Sequence, residues 1–338
     1  MIAQTLAKLQ ERHDFSSAPI GTTLSNQTSI SRHINLPPCN SETASKVLRH
    51  QAQEHVPFKL SDIQWRGVLT DKSDLDQKVE RESFLIAVKN TEVNQITARF
   101  QKNGLSLELL QPSYLGLMNY IHSNLAISDQ EEEIACLDIG ESSTSIVIAK
   151  KGAFFTRNIP IGGVHFSRLL SKEMKLTLAK AEELKINVRE SENPKKVFKT
   201  LRPVFEDFAE EVSRTIYFYR RNHKGAGFDL NEIIFLGAGA LLPTLRIFVS
   251  RETSLESMSI DSEDLFAIDS NKQKLFANSQ LMLNNSISAA MQLLGFGRFM
   301  VDMRLGGEQL LPSTHDSAWG IDIGSHSIKA VKLSRVKA

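Results

Sequence analysis

The sequence of 338 residues has few cysteines, no long apolar run and almost no excess charge of either sign. Its two cysteines, Cys39 and Cys136, form no CxxC pair, and its nine histidines show no HExxH spacing, so we expect no disulfide framework and no zinc site. A formal net charge of +1 provides no long-range field for nucleic acid. No stretch approaches the roughly 20 apolar residues that cross a bilayer, and the first residues do not resemble a signal peptide. We therefore expect a protein of the reducing cytoplasm that binds no nucleic acid.

The rest of the composition is that of a folded globular protein. Hydrophobic residues make up 41% of the chain and charged residues 23%, which argues against disorder. At this length the chain can form two hydrophobic cores.

The stretch from Ile134 to Lys150 is the most informative, because it is typical of a strand, a tight turn and a returning strand. The turn holds one carboxylate, Asp138, next to Gly140, which lets the backbone approach a ligand closely. The short donors that follow are Ser142, Ser143, Thr144 and Ser145. A carboxylate suits Mg²⁺, and amides with hydroxyls suit a polyphosphate. An ordinary Asp-Gly hairpin with a solvated tip has the same pattern.

A second copy of this hairpin pattern lies near the end of the chain, at residues 321–331. The matched pairs are Asp322 with Asp138, Gly324 with Gly140, Ser327 with Ser143 and Val331 with Val147. Two hairpins with one carboxylate each favour a nucleotide clamp over a chance turn.

The regions around the hairpins have simple patterns. Residues 27–103 indicate a small α+β unit, in which Asn40 or Ser41 caps a helix that stops at Pro57. After the first hairpin, Gly162 and Gly163 open a helix, where they either bind an anion or form a plain turn. A later helix has Glu182 and Lys185 three residues apart, a spacing that taken alone indicates a surface ion pair. An amphipathic helix is expected over 201–219, and beyond it the turn Gly237, Ala238, Gly239 follows a strand.

In this order the motifs resemble the actin-like ATPases, and among them the branch that contains PilM of type IV pilus assembly and the cell-division protein FtsA. Residues 155–163, Pro57 with Phe58, and Phe218 with Tyr219 resemble the PilM type most. The resemblance implies an α/β actin-like ATPase fold with two duplicated ribonuclease-H-like domains and a small α+β inserted subdomain. The implied bounds are 1–26 with 104–128 and 292–338 for the first domain (its hairpin at 319–333), 27–103 for the insert and 129–291 for the second domain.

The resemblance also implies a site for ATP and Mg²⁺ between the duplicated halves. Asp138 and Asp322 would bind the metal, and Gln111 would position the attacking water. The implied nucleotide contacts are two phosphate loops (Gly140, Ser142, Ser143, Thr144; Gly324, Ser325, His326, Ser327), a bordering pair (Gly162, Gly163), a ribose-facing pair (Glu182, Lys185) and an adenine turn (Gly237, Ala238, Gly239). Ala238 stands where a glycine is usual, which leaves the affinity for the nucleotide open. His326 stands where a small residue is usual, which leaves hydrolysis open.

The implied function is that of an adaptor whose nucleotide state controls recruitment at the inner-membrane platform of a type IV pilus or a related type II secretion system. It would be cytoplasmic, peripheral to the inner membrane, and at most a slow ATPase. Its partner would be the cytoplasmic tail of a PilN-like membrane protein, bound by the insert. The alternatives are an FtsA-like cell-division or cytoskeletal ATPase, a small-molecule kinase of the same superfold, and a scaffold that binds no nucleotide.

The order of the two hairpins departs from the family pattern. In relatives the Asp322-type hairpin opens the chain, whereas here it closes it, which indicates a circular permutation or a piece of a tandem array. We expect the strand Trp319–Ile323 to pair with the strand at 19–24 in a sheet that stays incomplete. Docking of this tail into a neighbouring molecule, as a swapped dimer or other homo-oligomer, is the alternative.

Overall fold

The computed structural model describes residues 2–69, 81–125, 133–150, 153–222, 230–242, 244–260, 265–304, 315–324 and 327–336. The described helices are α1 (Ile2–Gln10), α2 (Ser41–His55), α3 (Asn90–Gln101), α4 (Ser113–Leu125), α5 (Gly163–Met174), α6 (Leu178–Ile186), α7 (Pro194–Asn222), α8 (Leu245–Thr253) and α9 (Gln273–Leu293). The described strands are β1 (Ile20–Leu24), β2 (Ser29–Leu36), β3 (Ile63–Leu69), β4 (Arg81–Lys89), β5 (Leu107–Pro112), β6 (Glu133–Ile139), β7 (Thr144–Lys150), β8 (Ala153–Ile159), β9 (Leu230–Leu236), β10 (Glu256–Met258), β11 (Ser317–Ile323) and β12 (Ile328–Ser334).

The chain divides into two compact units. Unit 1 comprises Met1–Asp129, Lys151–Phe154 and Leu283–Ala338, and unit 2 comprises Gln130–Lys150 and Phe155–Met282. Unit 1 therefore includes the α+β insert, and the chain passes from unit 2 to unit 1 within α9.

Unit 1 contains a sheet with the strand order β12-β11-β1-β5. β1 pairs in parallel with β11, with Ile20 opposite Trp319, and β11 pairs with β12 in an antiparallel hairpin. Trp319 is buried against Phe15, with ring centroids 4.6 Å apart, and its indole N–H donates to the Asp14 carbonyl. The predicted pairing of the last hairpin with the first strand is confirmed, and it removes this apolar strand from water.

The outer strand β5 is covered by the segment 299–304. The Met303 N–H donates to the Leu110 carbonyl at 2.8 Å, and the Leu110 N–H donates to the buried Asp302 carboxylate at 3.2 Å. Arg304 pairs with the same carboxylate at 2.8 Å. The opposite outer strand, β12, has no further strand beside it in the described part of the chain.

The insert in unit 1 is a three-stranded antiparallel sheet with the order β2-β4-β3. α2 begins where the Asn40 side chain accepts a hydrogen bond from the Thr43 N–H at 2.8 Å, as the capping pattern predicts. Leu48 and Ala52 of α2 pack with Leu85 and Ala87 of β4 in a core of their own.

Unit 2 contains a five-stranded sheet with the order β10-β9-β6-β7-β8. β6 pairs in parallel with β9 and antiparallel with β7. The predicted apolar stripe over 201–219 lies inside the longer helix α7, where Phe205, Phe208 and Val212 are buried in the core.

One helix is longer than its sequence pattern indicates. A helix is expected over 286–294, whereas α9 begins thirteen residues earlier at Gln273. The side chains of its first half are exposed or half-buried, so this half shows no apolar stripe.

Candidate functional site

The first hairpin places its carboxylate at the end of β6. Asp138 lies opposite Ser145 of β7 and beside Leu236 of β9, and it is half-buried. The Gly140 N–H donates to the Ser143 carbonyl at 3.0 Å and closes the loop. The carboxylate therefore stands next to a tight loop of four residues.

This loop rests on the first turn of α5. The Gly163 N–H donates to the Gly140 carbonyl at 3.0 Å, and the Val164 N–H donates to the Glu141 carbonyl at 2.8 Å. A Cβ at Gly162 would come within 2.6 Å of both loop carbonyls, so only glycine permits this approach. The amides of Gly163 and Val164 thus hold the loop instead of an anion, and the predicted nucleotide contact of Gly162 and Gly163 stays a prediction.

Ser143 has two hydrogen-bond donors that take no part in this packing. Its N–H and its hydroxyl have no hydrogen-bond partner among the described residues, while its carbonyl accepts from Gly140. The Ser143 nitrogen lies 2.7 Å from the position that a Cβ at Gly162 would take, so the Gly162 backbone packs closely against this part of the loop. An amide without a partner in the same hairpin as a carboxylate fits a phosphate with its Mg²⁺.

Thr144 differs from its predicted role as a phosphate donor. Its side chain is buried, and its hydroxyl donates to the Ile161 carbonyl at 2.8 Å. In this conformation the only hydroxyl proton of Thr144 is used within the protein. Ser142, by contrast, is exposed at the tip of the loop.

The turn after β9 packs directly on the end of β6. Gly237 has a φ of +83°, and a Cβ there would come within 2.7 Å of an Asp138 carboxylate oxygen. A Cβ at Gly239 would come within 2.2 Å of the Ile139 side chain. Both glycines are therefore required for close packing beside the carboxylate. Ala238 is exposed between them, and the adenine contact of this turn stays a prediction.

Glu182 and Lys185 form a partly buried network and not the surface pair that their spacing alone indicates. The Lys185 ammonium donates to Glu182 at 2.7 Å and to the Gly163 carbonyl at 3.1 Å. The Lys185 side chain is only 9% exposed, against 41% for Glu182. Ser167, one turn into α5, donates to the same Glu182 oxygen. Sequence reasoning missed Ser167, although its spacing of four residues from Gly163 places it over the same face of α5.

Gln111 is buried in the core of unit 1. Its side-chain amide donates to the Ser288 hydroxyl at 3.1 Å, and its side-chain oxygen has no partner in the described chain. With no exposed surface, the side chain cannot contact solvent water in this conformation. The geometry therefore does not support the predicted role in positioning an attacking water.

The second hairpin repeats the backbone of the first with another electrostatic environment. The Gly324 N–H donates to the Ser327 carbonyl at 3.0 Å. Asp322 lies opposite Lys329, and their side chains form an ion pair of 2.9 Å. Ser325 and His326, both predicted phosphate contacts, lie outside the described residues. The Asp322 carboxylate thus already has a cationic partner.

Among the described residues, no group of three or more His, Cys, Asp or Glu side chains could hold a metal ion. A Mg²⁺ ion at Asp138 would take its other ligands from phosphate and water, which is usual for this ion.

Within the ranges given above, no helix combines the length and the apolar character needed to cross a bilayer.

Comparisons with known proteins give a family and a fold. The family model described as type IV pilus assembly protein PilM matches residues 1–292. A solved PilM-PilN type IV pilus biogenesis complex matches with a TM-score of 0.71 and 19% identity, over 85% of this chain and 82% of that chain. A search of curated proteins found no match. The α/β fold predicted for the actin-like ATPases is confirmed.

Two other solved structures are similar over shorter stretches. Ethanolamine utilization protein EutJ from Carboxydothermus hydrogenoformans has a TM-score of 0.38 and 22% identity, over 50% of this chain and 54% of that chain. MreB5 of Spiroplasma citri bound to ADP has a TM-score of 0.38 and 15% identity, over 57% of this chain and 67% of that chain.

Proposed function

The chain belongs to the PilM family of type IV pilus assembly proteins, and we propose that it is a pilus adaptor that binds ATP with Mg²⁺ and recruits a membrane partner. The observation that supports nucleotide binding best is that the hairpin with the Asp138 carboxylate also carries the Ser143 amide, which has no partner in the described chain. Such an arrangement attracts a metal-bound phosphate, since the carboxylate serves the metal and the amide serves the anion.

The residues of this chain divide the work of binding. Asp138 holds the metal side, while the Ser143 amide and the exposed Ser142 hydroxyl donate to phosphate oxygens. Gly162 allows the start of α5 to pack closely on this loop. Bound Mg²⁺ would supply positive charge against the phosphates. Asp322 contributes less, because Lys329 already neutralises its carboxylate.

Binding in this proposal occurs without steady turnover. Hydrolysis requires a group that orients water next to the terminal phosphate. Gln111, the residue predicted for that task, has no exposed surface. The bound nucleotide would then act as a ligand that stabilises one conformation of the protein.

A scaffold that binds no nucleotide is the second candidate. The observation in its favour is that the first amides of α5 are already satisfied by loop carbonyls. In that case the loop would be complete without a ligand.

Calorimetry with Mg-ATP decides between the two candidates. We expect the parent protein to bind and Asp138→Ala to lose about tenfold or more in affinity, in the range found when metal-site groups are removed. Asp322→Ala is the matched control, and we expect a smaller loss from it. Equal affinity of Asp138→Ala and the parent would show that the site is assigned wrongly, and no binding by the parent would favour the scaffold.

We propose that the insert carries the partner surface. An open depression of about 570 Å³ is lined by Gln53, Pro57, Phe58, Lys59 and Leu60. Phe58 is 37% exposed, and the Lys89 ammonium lies 4.3 Å from the centre of its ring. A partly exposed ring beside a cation suits an extended peptide with apolar and acidic residues. The proposed ligand is the cytoplasmic tail of a PilN-like membrane protein, which would place this chain in the cytoplasm at the inner membrane.

A labelled peptide with the tail sequence of the PilN-like protein tests this surface by fluorescence anisotropy. We expect Phe58→Asp to weaken binding about tenfold or more, because it removes the ring at the centre of the depression. Leu275→Asp changes a side chain that is 69% exposed in α9, outside the insert, and should bind like the parent. Unchanged binding by Phe58→Asp would exclude the depression.

A further inference from the structure

The outer strand β12 presents a row of backbone groups on its open side. It spans seven residues, Ile328–Ser334, and pairs with β11 in an unbroken antiparallel register. No other strand of the described ranges lies beside it. Such a strand is a template for a further strand, because the N–H and C=O groups on its open side are not used in the sheet.

The hydrogen bonds at both ends of the hairpin show which residues of β12 face outward. The Gly324 N–H donates to the Ser327 carbonyl at 3.0 Å, and the Arg335 N–H donates to the Asp316 carbonyl at 2.8 Å. Bonded and non-bonded pairs alternate along an antiparallel ladder, so every second residue from Ser327 to Arg335 bonds to β11. The residues between them direct their backbone groups outward, and these are Ile328, Ala330, Lys332 and Ser334. No backbone hydrogen bond joins these four to another described segment.

Two other outer strands show how an open side is usually protected. At β5, in the same sheet, the Met303 N–H donates to the Leu110 carbonyl at 2.8 Å. In unit 2, β10 has only three residues, Glu256–Met258, and a short edge offers little for pairing. β12 is neither covered by a described segment nor short, and it contains no proline or bulge. Its remaining protective feature is a pair of lysines, Lys329 and Lys332.

The charges of β12 select which strand can be added. Residues 327–336 contain no acidic residue. The Lys329 ammonium already pairs with Asp322, whereas the exposed Lys332 donates to the Ser17 hydroxyl at 2.9 Å. A second copy of β12 would bring another Lys332 and no carboxylate, so charge does not favour self-pairing. An added strand with a carboxylate opposite Lys332 has the complementary charge.

We propose that the open side of β12 is a docking site for an extended segment of a partner protein, which adds as a new outer strand and places a carboxylate opposite Lys332. Backbone bonds to the outward groups supply affinity, and the carboxylate supplies selectivity. This surface lies in unit 1 outside the insert. It is therefore a second recruitment site, separate from the depression at Phe58 and independent of nucleotide binding.

Fluorescence anisotropy with the full chain and a labelled peptide tests the charge. The probe is Thr-Val-Glu-Val-Thr-Thr-Val, written to lie antiparallel to Ile328–Ser334 with its glutamate opposite Lys332. We expect Lys332→Glu to weaken binding about tenfold, because an opposite-charge pair becomes a like-charge pair, and to reverse the preference toward a peptide with lysine in place of glutamate.

Lys199→Glu is the matched control for this measurement, because it makes the same change of net charge at an exposed site of α7 and should bind the glutamate peptide like the parent. No binding of that peptide by the parent would overturn the proposal. So would equal affinity of the parent and Lys332→Glu.

Two backbone-modified peptides test strand addition itself. Each carries N-methyl groups on one of the two alternate sets of residues, so each removes a different half of the N–H donors. Only one set faces β12 in a paired strand, so we expect one modified peptide to lose binding and the other to bind like the unmodified peptide. Equal binding, or equal loss, for the two peptides would overturn the proposal.

A proline exchange tests the open side of the protein. Ala330→Pro removes an outward N–H, and proline is tolerated where that group faces solvent, so we expect a similar melting temperature and at least a tenfold loss of peptide affinity. Val331→Pro removes an N–H that bonds to β11 and should lower the melting temperature. Equal destabilisation by both would overturn the assignment of the outward groups. A parent dimer that Ala330→Pro dissociates in sedimentation would also overturn the proposal, because a second copy would then occupy the edge.

Discussion

The two hairpins have the same backbone but different surroundings. Each loop is closed by a bond of 3.0 Å, from Gly140 to Ser143 in one hairpin and from Gly324 to Ser327 in the other. Asp138 lies opposite an uncharged serine, whereas Asp322 lies opposite Lys329 and pairs with it. The repeat thus preserves the path of the chain, while a single residue that differs between the copies, Ser145 or Lys329, changes the charge opposite the carboxylate.

The strands of the two hairpins also differ in what covers them. β7 is flanked by β8 and fully enclosed, while β12 is the outer strand of its sheet with half-buried or exposed side chains. At matching positions, β6 has the buried Cys136 and β11 has Gly320. A Cβ at Gly320 would lie 1.7 Å from the Ser286 carbonyl oxygen of α9. The second hairpin therefore lies directly against the backbone of a helix.

The largest effect should come from giving the second hairpin the residue of the first, with Gly320→Cys. The side chain would have to displace the backbone of α9, so we expect unfolding free energy to fall by about 3 kcal/mol or more. Thermal or urea unfolding measures the change. The reverse exchange, Cys136→Gly, removes a small buried side chain and should cost roughly 1–2 kcal/mol. Equal losses would mean that the two positions are equivalent after all.

A second difference is the support that α5 gives to the first loop. Gly162→Ala places a methyl group within 2.6 Å of two carbonyl oxygens, and we expect it to cost about 2 kcal/mol of unfolding free energy. Gly163→Ala is the matched control, because its Cβ would come no closer than 3.3 Å to a flexible side-chain end. Urea unfolding of both variants should show the larger loss for Gly162→Ala, and the reverse order would contradict the packing described above.

Acid should also destabilise unit 1, because the ring nitrogens of His122 are buried there without a charge. Neither ring nitrogen has a hydrogen-bond partner in the described chain, and burial, with a smaller effect from Arg298, lowers the pKa of His122 to about 4. The unfolded chain binds this proton near pH 6.5, so stability is complete above that value and is lost as the pH falls toward 4.

We expect His122→Leu to remove this dependence. Relative to the variant, the parent should lose on the order of 1–2 kcal/mol of unfolding free energy between pH 7 and pH 5. Urea unfolding at both pH values measures it. Parallel pH curves for parent and variant would show that His122 titrates normally.

The smallest effect concerns the charge that distinguishes the two tips. Lys329→Ser gives the second hairpin the uncharged residue found opposite Asp138, and it removes a partly exposed ion pair of 2.9 Å. We expect the unfolding free energy to fall by about 0.5–1 kcal/mol. Because salt screens this ion pair in the parent, the difference between parent and variant should shrink at high salt. A loss of several kcal/mol would show that the pair is a structural requirement of the hairpin.

The sequence by itself determined the local elements and the existence of two similar hairpins. The Asn40 cap, the apolar stripe of α7 and the repeat around Asp322 are visible because capping, helical period and short motifs depend on neighbours along the chain. The family and its α/β fold followed from the order of these pieces. The exposed first half of α9 was missed, because an exposed helix leaves no apolar period to detect.

Only the tertiary structure decided what each candidate side chain does. Gln111 and Thr144 have the right residue type for a phosphate site, yet packing buries both and directs their polar protons to Ser288 and Ile161. The spacing of Glu182 and Lys185 indicates a surface pair, but α5 lies over Lys185, which is buried and donates to the Gly163 carbonyl. Such roles depend on which distant segments cover a residue and what acceptors they bring. Burial and partner choice are properties of the assembled chain, and no window of neighbouring residues contains them.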